Sequence, residues 1–346
     1  MPYETASKQS LPYTYARVSV MKKELMRRED YHRLLKMDLN SITRHLQDTK
    51  YKESITKLST TYSGAELVDR ALQREEYRVF NKLREISPPS VVAVIDLYLG
   101  RYDYYNLKIV IRGILSNAKE IESFLMPIGK FRKEHFVKLF EKGNIKDALM
   151  SSHIVSEKDL GDSLEEYNRS GNIMELENQL DKLSFRKAMK GAKKLTAFGR
   201  QFSDFLLINI DVINIRNLIR FKREGLESSK IMKYMILKGK KLNKEDLESL
   251  ARMDSYKAII KSLKKSYFSR FIDFDEEADP FDIEMELQRN LMKRSLSKSY
   301  GDPMSVECVL QYMMARIIET RNLRGIIKSK HFGIDPAFFE KKMLIV

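Results

Sequence analysis

Apolar positions along the chain recur with the 3.6-residue period of amphipathic helices rather than with the alternation of strands. Helical spacing fills the ranges 13–39, 41–51, 66–86 and 90–115, the last as two helices that meet near Gly100. The most strand-like run, Val91–Ile95, follows Pro88-Pro89-Ser90, which is a normal helix start, and leads into helical spacing. The sequence therefore predicts an all-α fold.

One ten-residue pattern occurs three times at a constant interval, which we call the repeat interval. The copies are Asp103–Arg112, Asp211–Arg220 and Glu319–Lys328. Counting from the acid, each copy has Asn at +3, apolar residues at +4, +7 and +8, and Lys or Arg at +5 and +9. On a helix, the acid, the Asn and the apolar residues share one side, and the two cations lie on another. Each copy is predicted to form an amphipathic helix with a buried stripe.

The repeat predicts three homologous helical modules, because a unit of this length is a small domain rather than a solenoid repeat. Weaker matches at the repeat interval, such as Leu72 with Leu180, support this interpretation. The predicted modules are residues 1–117, 118–224 and 225–335, followed by a C-terminal extension at 336–346.

The acid and the Asn of each copy form a polar pair on an apolar face. The pairs are Asp103 with Asn106, Asp211 with Asn214, and Glu319 with Asn322. A buried pair of this kind is normally satisfied by hydrogen bonds and orients one helix against another. A repeated ligand site would need glycines, histidines or aromatic partners at matching places, so the pairs are predicted to be structural.

The cations at +5 and +9 allow two interpretations. They are Lys108 and Arg112, Arg216 and Arg220, and Arg324 and Lys328. A single such pair is normally a solvated helix face. If the three modules surround a pseudo-threefold axis, however, the repeated pairs form a ring of positive side chains that would dock an acidic partner.

Positive charge is in excess over the whole chain, with 63 Lys and Arg against 48 Asp and Glu and a net charge of +15. Eight acidic residues and no basic one lie between Asp273 and Glu286. This acidic segment is predicted to form an exposed loop and the first turn of a helix after Pro280. The excess elsewhere favours a negatively charged neighbour, which would be nucleic acid, an anionic membrane surface or an acidic protein, or it serves solubility alone.

The sequence contains neither a G-x-x-x-x-G-K-[ST] loop nor an H-E-x-x-H motif, and its five histidines are scattered. The single cysteine, Cys308, excludes a disulfide framework and a multi-cysteine metal site, which fits a reducing compartment. No stretch approaches the ~20 apolar residues of a membrane span, and residues 1–9 lack the apolar core of a secretory signal. We therefore expect an intracellular, non-enzymatic protein with no cofactor and no metal.

Three segments carry a resemblance to a known family. They are Tyr13-x-Tyr15-Ala-Arg17-Val18, Asp30-Tyr31 followed by Leu34-Leu35-x-Met37, and Tyr102-Asp103-x-x-Asn106-Leu107-Lys108. Together with the constant repeat interval, they resemble the C subunit of archaeal A-type ATP synthases, which is related to the d subunit of vacuolar-type ATPases. The resemblance covers nearly the whole chain.

This resemblance implies a funnel of three similar helical domains around a pseudo-threefold axis. It also implies a peripheral spacer on the cytoplasmic side of the membrane, between the central stalk subunits D and F and the proteolipid ring, that carries torque between ion flow and ATP synthesis. Two other classes stay open. A basic helical-repeat protein that binds nucleic acid or an acidic protein would show steeply salt-dependent binding, and an unrecognised enzyme would gather strongly perturbed titratable groups in a pocket.

Overall fold

The protein is helical throughout the part of the chain that the structure, a computed structural model, describes. That part comprises residues 10–271, 286, 289–290, 305–335, 339–340 and 343. Its regular structure consists of helices without any strand, which confirms the predicted all-α class. None of its helices combines the length and the apolar character that a bilayer span requires. The acidic segment and the helix predicted after Pro280 lie outside the described residues, except for positions 286 and 289–290.

The chain folds into two compact units. The first unit comprises Met1–Pro88 and Leu207–Val346, and the second comprises Pro89–Leu206. The predicted division into modules ending at residues 117, 224 and 335 stays a prediction.

The helices follow one another in chain order with short connections. The first unit opens with α1 (Leu11–Lys23), α2 (Arg28–Lys36), α3 (Leu39–Gln47), α4 (Lys52–Leu58) and α5 (Gly64–Ile86). The second unit contains α6 (Pro89–Leu99), α7 (Arg101–Leu115), α8 (Lys133–Phe140), α9 (Ile145–Met150), α10 (Glu157–Leu160), α11 (Asp162–Ser170) and α12 (Met174–Ala192). Helix α13 (Gly199–Arg223) begins in the second unit and ends in the first, which continues with α14 (Ser228–Lys233), α15 (Lys244–Ala251), α16 (Tyr256–Lys264), a 3-10 helix (Tyr267–Phe271) and α17 (Glu307–His331).

The helical run predicted over the first part of the chain is interrupted twice. Residues 24–27 separate α1 from α2, and residues 37–38 separate α2 from α3. Carboxylates cap both new helices: Asp30 lies in the first turn of α2, and Asp38 accepts a hydrogen bond from the N–H of Ser41 at 2.9 Å. The apolar period continues across these caps, so it does not reveal them.

Other predicted elements are confirmed. Helix α5 covers the predicted range and ends before Pro88-Pro89, and α6 and α7 meet at Gly100. The strand-like run Val91–Ile95 lies inside α6.

Each copy of the repeated pattern contributes its apolar stripe to a separate hydrophobic core. The stripe residues are Leu107, Val110 and Ile111 in the second unit, and Ile215, Leu218, Ile219, Leu323, Ile326 and Ile327 in the first. All of them are at most 2% exposed, which confirms the predicted buried face. Helix α7 packs with the helices that follow it, and so does α13, whereas α17 packs with the N-terminal helices α2–α5. The third copy of the pattern therefore completes the core that the N-terminal helices α2–α5 begin.

The three repeated helices also end in the same way. Asn117, Gly225 and Gly333, which are again separated by the repeat interval, have φ angles of 49°, 75° and 67° in the left-handed region. The next residue in each case donates its N–H to the carbonyl five residues earlier, at 2.9, 3.0 and 2.8 Å, as in a Schellman motif. The repeat thus extends to the helix C-terminus, beyond the segment in which it is visible as a pattern.

Candidate functional site

The acid and the Asn of the first copy hold a loop of the second unit. Asp103 accepts hydrogen bonds from the backbone N–H of Lys130 at 3.0 Å and from that of Phe131 at 3.2 Å. The Asn106 amide donates to the carbonyl of Met126 at 2.9 Å and accepts from the N–H of the same residue at 2.8 Å. We call this arrangement, an acid and an Asn that bind the backbone of a loop, a polar clamp.

The second copy builds the same polar clamp in the first unit. Asp211 accepts from the N–H groups of Lys241 at 2.8 Å and Leu242 at 3.1 Å. Asn214 forms the same two hydrogen bonds with the backbone of Ile236, at 2.8 and 2.9 Å. The side chains of both clamps are almost fully buried, so each loop is fixed by bonds from which water is excluded.

Glycine is required where the loop meets the carboxylate in both clamps. A Cβ atom on Gly129 would lie 2.3 Å from Oδ1 of Asp103, and one on Gly239 would lie 1.7 Å from Oδ1 of Asp211. Both distances are far below van der Waals contact. Each glycine precedes a lysine whose N–H is bound by the acid, so a shared Gly-Lys dipeptide is the sequence signal of the clamp loop.

The third copy replaces this loop contact with a cluster of charged groups in the first unit. Glu319 accepts hydrogen bonds from the N–H of Met26 at 2.9 Å and from the Tyr51 hydroxyl at 2.5 Å. The Lys50 ammonium lies 2.8 Å from the same carboxylate, and Arg316 forms an ion pair with it. Asn322, the other predicted residue of this copy, hydrogen-bonds to the side chain of Tyr31.

Arg316 is the least expected member of this cluster, because its side chain is fully buried. One of its nitrogens donates to the Tyr51 hydroxyl at 2.9 Å and the guanidinium lies 5.0 Å from the centre of that ring. Its Nε and Nη2 atoms have no hydrogen-bond partner in the described part of the chain. The guanidinium is therefore paired in charge but only partly satisfied in hydrogen bonds.

The clamps differ in their electrostatics. Burial raises the pKa of Asp211 to about 6, and it also raises the pKa of Asp103. Burial acts on Glu319 in the same direction, but the charges of Arg316 and Lys50 outweigh it and leave the pKa of this carboxyl below its usual value. The carboxylates of the two polar clamps are thus held mainly by backbone donors, whereas the carboxylate of the third copy belongs to a cluster of charged groups.

The predicted partner-contact cations divide into two sets by exposure. Lys108, Arg216 and Arg324, at +5, are half-buried, and Arg112, Arg220 and Lys328, at +9, are exposed. The +9 positions are therefore the ones that reach solvent in all three copies.

Several of these cations bridge helices within the chain. In the second unit, Lys108 lies 2.6 Å from Asp181 of α12, and Arg112 binds both oxygens of Glu177 on the same helix. In the first unit, Arg324 lies 2.8 Å from Asp69 of α5. Asp69 and Glu177 are separated by the repeat interval, so two repeats use the same acidic position. Arg220 lies 3.6 Å from Glu224, one turn along its own helix.

Sequence reasoning did not identify the loop partners of the clamps or the Arg316 cluster. The Gly-Lys dipeptides and the left-handed cap residues were visible signals, but Tyr51 and Glu319 are 268 residues apart and nothing local joins them. Among the described residues, no group of three or more His, Cys, Asp or Glu side chains is placed to hold a metal ion.

The fold and the clamps define an all-helical protein built on one internally repeated helix. The sequence model of the ATP synthase (C/AC39) subunit family matches residues 14–342. The chain belongs to this family, which confirms the resemblance found in the sequence.

Similar proteins come from several archaea. The chain is 29% identical over 341 residues to the C subunit of the A-type ATP synthase of Methanosarcina acetivorans, covering 96% of this chain and 92% of that protein. It is 29% identical over 338 residues to the protein of the same name from Archaeoglobus fulgidus, covering 96% of each. The Haloferax volcanii protein is 27% identical over 345 residues, covering 96% of this chain and 97% of its own length. These relatives are named as subunits of a complex.

Proposed function

We propose that the chain is the non-catalytic rotor subunit of an A-type ATP synthase. In this role it is a spacer that links the central stalk subunits D and F to the membrane proteolipid ring and transmits torque between ion translocation and ATP synthesis. It lies on the cytoplasmic side of the membrane as a peripheral protein. Family membership over nearly the whole chain and the name shared by the relatives support this assignment.

The observation that carries the proposal is the repeated locking of loops to helices. An element that transmits torque must resist deformation, and buried side-chain bonds to backbone fix a loop more firmly than exposed ones. Asn106 and Asn214 each hold both backbone groups of one loop residue while fully buried. We further propose that the three modules form a funnel around a pseudo-threefold axis, supported by the regular recurrence of the stripe and the cap.

A structural role also accounts for the perturbed acids. A raised pKa in a cleft is a signal of catalysis, but Asp103 and Asp211 are surrounded by the backbone N–H groups of their loops. Burial raises both pKa values against the opposite effect of these N–H groups, so both shifts are explained without a reacting group.

We propose that the repeated cations contact the rotor partners, with the exposed set Arg112, Arg220 and Lys328 reaching them first. The half-buried set contributes to the same surface but is partly engaged inside the chain, as Lys108 and Arg324 are. Arg112 and Arg220 of the exposed set are also paired, with Glu177 and Glu224, so the contact is assigned to the exposed set because its side chains reach solvent in all three copies.

Capture from detergent-solubilised membranes tests this function. The full-length tagged chain is expected to retain stalk and proteolipid subunits, and the variant Arg112→Gln/Arg220→Gln/Lys328→Gln is expected to retain fewer. The matched control is Lys36→Gln/Lys52→Gln/Lys82→Gln, which removes three exposed charges from α2, α4 and α5. Circular dichroism should show equal helical content in all three proteins.

Two outcomes count against the proposal. If the native chain retains nucleic acid and no ATP synthase subunit, the rotor role is wrong. If the triple variant Arg112→Gln/Arg220→Gln/Lys328→Gln and the control retain the rotor subunits equally, the exposed cations do not form the contact. The alternative of a nucleic-acid or acidic-protein binder receives no support from the comparisons with known proteins.

A further inference from the structure

We propose that the C-terminal half of α12, the turn after it and the first turn of α13 bind the anionic headgroups of a phospholipid membrane. The six residues Arg186, Lys187, Lys190, Lys193, Lys194 and Arg200 form this surface, which we call the α12 basic surface. The inference rests on the proposed position of the chain beside a membrane rotor.

The α12 basic surface carries six positive charges that form no ion pair within the described part of the chain. No acidic residue occurs between Asp181 and Asp204, and all six cations are exposed. Among the described residues, none of the six forms an ion pair with a carboxylate. Lys187 has a ring contact 5.7 Å from the centre of Tyr104, and Asp159 interacts with Arg186 and Lys187 only through longer-range electrostatics.

Helix stability alone does not account for this arrangement. Cations in the last turn of a helix interact favourably with its dipole, which explains Lys190 and the cap residue Lys193. The dipole effect does not reach Arg186, and Arg186 and Lys190 stand at i,i+4 positions, where like charges repel. The helix keeps a repulsive pair that an anionic ligand would relieve.

Helix α5 occupies the equivalent place in the first repeat and is neutralised. Arg78 and Lys82 precede Arg186 and Lys190 by the repeat interval, and they pair with Glu75 at 2.9 Å and with Glu85 at 3.2 Å. Position 85 is the counterpart of Lys193. One helix thus has an acid where its homologue has a further cation, so α12 lacks the ion pairs that neutralise α5.

A lipid surface fits this chemistry better than a protein or a nucleic acid. Protein interfaces are centred on large apolar or aromatic anchors, and single-stranded nucleic acid is bound by exposed aromatic rings. From residue 175 to residue 206, no large hydrophobic side chain is exposed. Anionic headgroups need no anchor, because clusters of four to eight cations are attracted by the surface potential alone.

Vesicle flotation with the full-length chain tests the inference. The probes are vesicles of phosphatidylcholine and vesicles of phosphatidylcholine mixed with phosphatidylglycerol, at low salt and at about 0.15 M salt. The native chain should float with the anionic vesicles only, and less at the higher salt. The variant Lys190→Gln/Lys193→Gln/Lys194→Gln should partition about 100-fold more weakly, since each cation near the surface contributes a factor of about 5.

The control removes the same charge elsewhere. Lys36→Gln/Lys52→Gln/Lys82→Gln has the same net charge as the α12 variant and should retain most of the binding. Equal loss in both variants would mean that net charge alone is responsible and would overturn the inference. So would the absence of flotation by the native chain, or preferential binding of a duplex oligonucleotide over the anionic vesicles.

The two proposals fail in different ways. If flotation is absent but stalk and proteolipid subunits still co-purify with the native chain, only the lipid surface is wrong. If those subunits do not co-purify, the proposed rotor function is wrong, whatever the vesicles show.

Discussion

The buried cluster around Glu319 predicts that removing the acid of an ion pair lowers stability far more than removing its arginine. In the native chain one carboxylate faces two cations, Arg316 and Lys50, both in the protein interior. Replacing Glu319 by Gln removes the one carboxylate that forms an ion pair with both cations in the described part of the chain. Breaking a buried pair in this way costs about 3–5 kcal/mol.

Removing the arginine has a different effect. In the variant Arg316→Met the carboxylate keeps Lys50, which lies 2.8 Å away, and it keeps the Tyr51 hydroxyl. The substitution also removes the two guanidinium N–H positions that have no partner among the described residues. Since leaving buried donors unpaired costs about 1–3 kcal/mol each, this variant should stay within about 1.5 kcal/mol of the native stability.

The single cysteine provides the assay. Cys308 is 2% exposed and lies on α17 together with Arg316 and Glu319, so a thiol reagent reaches it when this helix opens. The fraction labelled during a short pulse, measured across a urea series, gives the free energy of opening of this part of the first unit. The measurement does not require the two units to unfold together.

A clear result would refute the reasoning. If Arg316→Met lowers the opening free energy as much as Glu319→Gln does, the arginine is a net stabilising partner and the unpaired nitrogens carry no cost. The double variant Glu319→Gln/Arg316→Met should recover part of the loss, because only Lys50 then lacks a counter-ion. A double variant less stable than Glu319→Gln would contradict the same account.

Two further predictions concern the second polar clamp. Asn214→Leu leaves both backbone groups of Ile236 without a buried partner, so it should cost about 3 kcal/mol and lower the melting temperature; an unchanged melt would show that the loop is held by other contacts. For Asp211, the folded chain holds the proton more tightly than the unfolded chain, since burial raises the pKa from 3.8 to about 6. Stability from this group is therefore full below about pH 4 and is lost as the pH rises through about 6, by up to about 3 kcal/mol. Melting profiles from pH 4 to 7 should show this slope in the native chain and not in Asp211→Asn, and parallel profiles would contradict it.

Local pattern was sufficient for the class of fold and for the buried faces. The positions of Leu107, Ile215 and Leu323 follow from helical geometry alone, because burial of one face needs only a period. The ends of helices were harder to predict from the sequence. The apolar period continues unchanged across the caps near Asp30 and Asp38, so it does not show where one helix ends and the next begins.

The partners of the polar side chains could not be predicted, because they come from distant parts of the chain. An Asn at +3 signals a buried amide, but that Asn106 holds the backbone of Met126 depends on how a loop folds back. The same holds for the ion pairs: Lys108 and Asp181 meet only because α7 packs against α12. Pattern therefore identified which residues are special, and tertiary structure decided what they bind.

The packing of α17 against helices α2–α5 has a consequence for biosynthesis. The first core to leave the ribosome lacks the helix that covers it until residues 307–331 have been made. Leu34, Ile42, Val68 and Leu72 must therefore remain accessible to water or to a chaperone while most of the chain is translated. A circular permutation that places the segment 305–335 ahead of residue 10 would bring α17 close in sequence to the helices α2–α5 that it covers. The permuted protein should therefore refold faster than the protein with the natural chain order.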